Sequence, residues 1–147
     1  MIRTRSLAVL LGTLAVMLLA QAASASAATI ELRKTELGEI LVDSQGFTLF
    51  DFSIDTHKVD QCVTISGCTS VWPPLTVTGT PTAGPGLNPK KLKTIVLPSG
   101  AHQVLYGSHP LYGYAGNTGP GQIGYVGANA FGGYWFGVNA KGGRVRK

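Results

Sequence analysis

The chain has 147 residues, 44% of them hydrophobic and 13% charged, with 20 glycines, 8 prolines and a formal net charge of +5. That length and apolar content suit one folded domain and exclude a disordered, highly charged chain.

Arg3 and Arg5 precede an apolar run from Leu7 to Ala20, and small residues follow from Ala22 to Ala28. This is the layout of a secretory signal-peptide helix, with Ala25-Ser26-Ala27 supplying the small residues before cleavage, so residues 1–27 are expected to be removed. The run falls short of the roughly 20 residues that span a bilayer. No cysteine stands near the cleavage point to carry a lipid. The mature chain is therefore expected to be secreted, extracellular or periplasmic, without a stable membrane anchor. Nucleic acid is scarce there, which leaves an envelope polymer, a glycan or a protein as the expected partner. Charge is divided along the mature chain. All seven acids lie between Glu31 and Asp60, and every charged residue after Asp60 is a cation, from Lys90 to Lys147. Opposite charge favours docking of the two halves, or contact of the basic tail with an acidic polymer.

Ile30 and Leu32 alternate with polar neighbours, the period of a half-buried strand. Glu36-Leu37-Gly38 reads as a turn, Ile40 to Val42 as a second strand, and Ser44-Gln45-Gly46 as another turn. Phe47 to Phe52 makes the third strand, with Phe50 and Phe52 on one face and Leu49 and Asp51 on the other. Cys62 and Cys68 enclose a short loop, and an even cysteine count in an exported protein points to a disulfide. A redox or metal pair is the weaker alternative, because there is no Cys-x-x-Cys spacing and His57, His102 and His109 are scattered. No metal or cofactor is expected. Val71 to Leu75 contains Pro73 and Pro74, so it is an edge segment or turn that sets Trp72 on the core. Thr76 to Leu87 is a connector. Asn88 caps a short helical turn that begins at Pro89.

Strands return at Thr94 to Leu97, Gln103 to Tyr106, Leu111 to Tyr114 and Tyr134 to Val138. The glycine-rich stretch from Gly113 to Gly133 is a long loop, and loops of that length are usually functional or mobile. Residues 139–147 read as a disordered basic tail.

A shift of 62 residues pairs Val42 with Val104, Leu49 with Leu111, Phe50 with Tyr112, Phe52 with Tyr114 and Asp55 with Asn117. A shift of 63 pairs Trp72 with Trp135. The expectation is an all-β domain over residues 28–138, an antiparallel sandwich or small barrel built from two pseudo-repeats, about 28–75 and 93–138.

Phe50-Asp51-Phe52-Ser53-Ile54-Asp55 and Tyr112-Gly113-Tyr114-Ala115-Gly116-Asn117 resemble the Tyr-x-(Phe/Trp/Tyr)-x-x-Asp motif of a bacterial secreted-repeat family of unknown function, many of whose members are predicted lipoproteins. Cys62, Cys68, Trp72 to Leu75, Gly133, Trp135 and Phe136 extend the likeness. It implies export and a repeat, and it brings no activity. Phe50 departs from the usual tyrosine and Asn117 from the usual aspartate.

Two roles fit the motif residues. Phe50, Phe52, Tyr112 and Tyr114 could stack on a flat ligand that Asp55 and Asn117 hold by hydrogen bonds, or the rings could fill the core while Asp55 and Asn117 cap turns. Trp72 and Trp135 are expected to be core anchors. No catalytic residue is assigned, because Asp51 and Asp55 would stand ~13 Å apart on a strand, beyond a glycosidase pair, and no nucleophile elbow is present. The function expected is a secreted binding or structural module. The alternative is an enzyme or an electron-transfer or metal-binding partner with a site near the loop of residues 113–133.

Overall fold

The computed structural model of the protein describes residues 29–56 and 58–147. The expected signal peptide and His57 lie outside the described residues. No helix among the described residues is long and apolar enough to cross a membrane.

Among the described residues the fold is built from antiparallel strands, with almost no helix. Ile30–Thr35 (β1) and Gly38–Asp43 (β2) form a hairpin in which Ile30 faces Asp43 and Thr35 faces Gly38. Ile40, Leu41 and Val42 are all buried, so β2 is covered on both faces. The next turn is made by Asp43, whose carboxylate accepts the N–H groups of Gln45 and Phe47. Gly46 completes it at a φ of +85°, a conformation in which a side chain would be strained and would press on Pro120.

Phe50–Phe52 (β3) is shorter than the strand expected from Phe47. Thr48 bridges back to Val42, and its hydroxyl donates to Gln122 O. The disulfide joins Cys62 to Cys68, with Cα atoms 5.4 Å apart, and no free cysteine remains. Such a bond is consistent with an oxidising compartment. A single helical turn, Cys68–Val71 (α1), ends at the buried Trp72.

Thr76–Val77 (β4), Leu92–Val96 (β5), His102–Tyr106 (β6) and His109–Pro110 (β7) form one sheet, with β6 at its centre. Asn88 accepts the Lys90 N–H ahead of a 3-10 turn at Pro89–Lys91, as the capping signal implies. Ala128–Ala130 (β8), Gly133–Val138 (β9) and Arg144–Val145 (β10) join β3 in another sheet, in which β9 pairs with all three. Among the described residues the sheets stay open and none closes into a barrel. Phe50 and Tyr112 connect them, each donating its N–H to the other's carbonyl, at 2.9 and 3.0 Å.

Strand alternation divides the interior. Leu41, Leu49, Val104, Tyr106, Leu111 and Val138 make one apolar cluster. Phe50, Phe52, Trp72, Tyr112, Trp135 and the disulfide make the other. Gly133 is required where β9 crosses β3, because a Cβ there would lie 2.8 Å from both the Phe52 ring and the Ser53 hydroxyl.

Residues 139–147 are ordered, which corrects the expectation of a disordered tail. Asn139 Oδ1 accepts the N–H groups of Lys141 and Gly143 to form a turn, and β10 then pairs with β9. The physical reason lies at Asp51, which is fully buried. Arg144 Nε donates to one of its carboxylate oxygens, and His109 Nδ1 donates to the other at 2.9 Å. A buried carboxylate needs such partners, since desolvation costs several kcal/mol.

Arg144→Ala removes the cation while leaving Asp51 in place, and is expected to cost about 3–5 kcal/mol. Urea denaturation reads this directly. An unchanged midpoint would return residues 139–147 to the status of a dispensable tail.

Candidate functional site

The aromatic cluster is a ladder of rings. Trp72 and Trp135 stack on each other at 4.1 Å and 4°. Phe52 lies against the far face of Trp135 at 4.0 Å, and Tyr114 lies against Trp72 at 4.6 Å. Phe50 meets Trp72 edge-on, and Tyr112 meets Trp135 in the same way. Beyond Tyr114 the ladder continues to Tyr125, 3.9 Å away and 39% exposed.

Phe50, Phe52 and Tyr112 are fully buried, so these three rings present no face to a ligand. Trp72 and Trp135 are buried as well, as expected of core anchors. Tyr114 is half-buried and closes over Gly116. Asp55 N–H donates to Phe52 O and Asn117 N–H to Tyr114 O, so both motif ends form turns.

The two motif ends differ in their side chains. Asp55 Oδ2 accepts the Tyr112 hydroxyl at 2.7 Å, and Oδ1 accepts the Gln61 N–H at 2.8 Å. Both side-chain polar atoms of Asn117 are buried without a partner. Burial pushes the Asp55 carboxyl up to about 7, against the pull of its two hydrogen bonds, and Asp60 and Asp51 add repulsion. Burial likewise raises the Tyr112 phenol, with Asp55 the next cause.

The loop expected to carry a site borders a cleft of about 860 Å³. Lys34, Glu36, Thr118, Gln122 and Tyr125 are among its lining residues. Gln122 braces this loop, accepting the Thr118 N–H and donating to the Thr118 hydroxyl. The Tyr125 hydroxyl raises the Tyr114 phenol above its ordinary value. Among the described residues no group of three His, Cys, Asp or Glu side chains is placed to hold a metal. His109 is committed to Asp51, and His102 sits exposed on β6.

Sequence reasoning missed Tyr125 and the Asp51–Arg144 pair. Tyr125 left one signal, an isolated aromatic in a glycine-rich loop. Asp51 left none, because an acid alternating with two phenylalanines reads as the solvent side of a strand. Comparison with family models, curated proteins and solved structures finds no match.

The raised Asp55 pKa makes stability depend on pH with a defined sign. The folded value near 7 exceeds the unfolded 3.8, so the folded chain holds this proton more tightly. The contribution is fully present below pH 3.8 and is lost as pH rises through 7. Melting temperature should fall over that window, and the fall should be smaller in Asp55→Asn. Equal slopes for the two proteins would exclude Asp55 as the titrating group.

Proposed function

We propose that this chain is an exported glycan-binding module of the cell envelope, built from a duplicated unit, with its ligand seated beside Tyr125. The observation that carries the binding reading is the placement of Tyr125. An aromatic ring is left 39% exposed in the lining of a cleft of about 860 Å³, among an amide, a hydroxyl, an ammonium and a carboxylate. A ring offering an apolar face beside fixed polar groups suits a sugar, which is apolar on its ring faces and hydroxylated at its edges. Glu36 is the carboxylate in the cleft lining, whereas glycoside hydrolysis generally takes a pair, so binding is favoured over cleavage. The disulfide and the signal-like leader support export.

Several equivalences support the duplication. Phe50 and Tyr112 exchange both backbone hydrogen bonds, as equivalent residues beside a twofold axis would. Gly137 pairs with Phe50 and Pro74 with Tyr112, so the closing segment of each unit lies against the other unit's aromatic strand. Leu49 N–H donates to Leu41 O, and Leu111 N–H donates to Val104 O. This makes Leu41, rather than Val42, the counterpart of Val104. The offset arises because the turn after β2 holds one residue more than the turn after β6. The resemblance to the secreted-repeat family belongs to the same reading.

The axis also accounts for the two motif departures together. Its image of the Tyr112–Asp55 hydrogen bond would be an approach of Phe50 to Asn117, where the donor hydroxyl and the charged acceptor are both missing. Phe50→Tyr would therefore place a hydroxyl toward the unpartnered amide of Asn117 and should leave the melting temperature unchanged or raised. A hydroxyl buried without a partner costs about 1–3 kcal/mol instead, and a drop of that size would refute the axis.

A second reading rests on the ladder itself. Trp135, Trp72, Tyr114 and Tyr125 form an unbroken series of oxidisable rings reaching the surface, as an electron-transfer partner would need. Two variants separate the readings. For glycan binding, Tyr125→Ala should lose about tenfold in affinity on a glycan panel, about 1.4 kcal/mol, while Tyr125→Phe keeps most of it. If wild-type protein binds no glycan and one-electron photo-oxidation yields a phenoxyl signal that Tyr125→Phe abolishes, the second reading replaces the first.

A further inference from the structure

The outer face of β9 carries a different surface. Tyr134 is 50% exposed and lies nearly parallel to Phe136, with ring centres 6.0 Å apart. Phe136 is covered, because the guanidinium of Arg146 sits 4.7 Å above its ring and that of Arg144 sits 5.6 Å away. Arg144 is spent on Asp51. Arg146 is held against an aromatic face, an arrangement that leaves its N–H groups directed away from the ring. Lys147 Nζ donates to Gly124 O at 3.1 Å, which fixes a second cation nearby. Together Gly127, Tyr134, Phe136, Arg146 and Lys147 line a cleft of about 360 Å³ whose lining includes no acid.

We propose that this cleft is a second binding site, one that takes an anionic polysaccharide, with a sugar ring on Tyr134 and its carboxylate or phosphate on Arg146 and Lys147. Charge complementarity selects the occupant. Every aspartate and glutamate of the chain lies at or before Asp60, and Asp51, on the strand next to β9, is buried and already paired. The exposed ring selects further. A bare polyanion would use the two cations and leave Tyr134 idle, whereas a sugar bearing an acid uses all three groups. The site is separate from the cleft beside Tyr125, and the two share no lining residue.

Oligogalacturonate, neutral dextran oligomers, inorganic polyphosphate and phosphatidylglycerol vesicles are the probes, titrated against the full mature chain. Oligogalacturonate is expected to bind most tightly, and added salt should weaken it because the contact is partly ionic. Tyr134→Ala is expected to weaken it by about tenfold, and Arg146→Gln by a similar factor with a flatter salt dependence. Tyr125→Ala should leave this affinity unchanged, which separates failure here from failure at the other cleft. Arg146→Lys keeps the charge without the planar fork and should fall between wild type and Arg146→Gln. Melting curves confirm that each variant is folded. Polyphosphate or vesicles binding as tightly as oligogalacturonate would overturn the proposal, and so would wild-type affinity in Tyr134→Ala.

Discussion

The contact on which the rest depends is the stack of Trp72 on Trp135. The two indoles come from segments with little apolar area of their own, one following a disulfide loop and carrying two prolines, the other inside a strand that begins at Gly133. Neither segment would hold its position alone. Face to face at 4.1 Å, each indole buries the other, and each offers its remaining face and edge to rings from β3 and from the Tyr112 segment. An indole buries more surface than any other side chain, so this arrangement concentrates much of the apolar gain of a small domain in a few residues. Backbone follows side chain here. Gly133 must lack a Cβ so that β9 can approach Phe52, and α1 must end at Trp72 so that its ring turns inward.

Such a core places demands on the polar groups around it. Asp51 stands between Phe50 and Phe52, so it cannot reach water once both faces of β3 are covered. Paired with Arg144 and His109, it fastens β10 and the Tyr106–His109 turn onto β3. Asp55 shows the same tension in milder form. Its carboxylate is drawn from solvent by the turn it caps, and its hydrogen bonds only partly offset the loss of water. Two acids within one short stretch thus meet burial differently, one with a guanidinium and the other by holding its proton to a higher pH.

Most of the strand pattern, the hairpin turns at Gly38 and Gly46, the cap at Asn88 and the pairing of Cys62 with Cys68 were legible in the sequence, because each depends on residues close together in the chain. The exceptions are Leu111 to Tyr114, which contributes only bridges at Tyr112, and the short strands Thr76–Val77 and Ala128–Ala130, which lie inside the expected connector and loop. What was not legible depends on who covers whom. The period of two placed Phe50 opposite Asp51 and said nothing about a third layer over Asp51. Basic, glycine-containing residues 139–147 look disordered until the buried acid 93 positions upstream of Arg144 is known to need them. For the candidate site the motif rings drew the eye, yet most of them are interior. The exposed aromatics, Tyr125 and Tyr134, lie outside the motif.

The division of charge follows from the same layout. With acids in the first part of the chain and cations in the last, the contact across β3 and β10 is a neutralising one, and it consumes Asp51 and Arg144. Glu31, Glu36, Glu39 and Asp43 remain on or near the β1–β2 hairpin. Arg146 and Lys147 remain beyond β10, next to the open face of β9. The charge left over after folding is therefore not spread evenly: four acids against Arg33 and Lys34 leave the first hairpin net acidic, and Arg146 and Lys147 make the side beside Tyr134 basic. Arg146 lies over Phe136 and, with Lys147, lines the cleft beside the exposed Tyr134, so the proposed acidic polysaccharide would meet charge and ring together there.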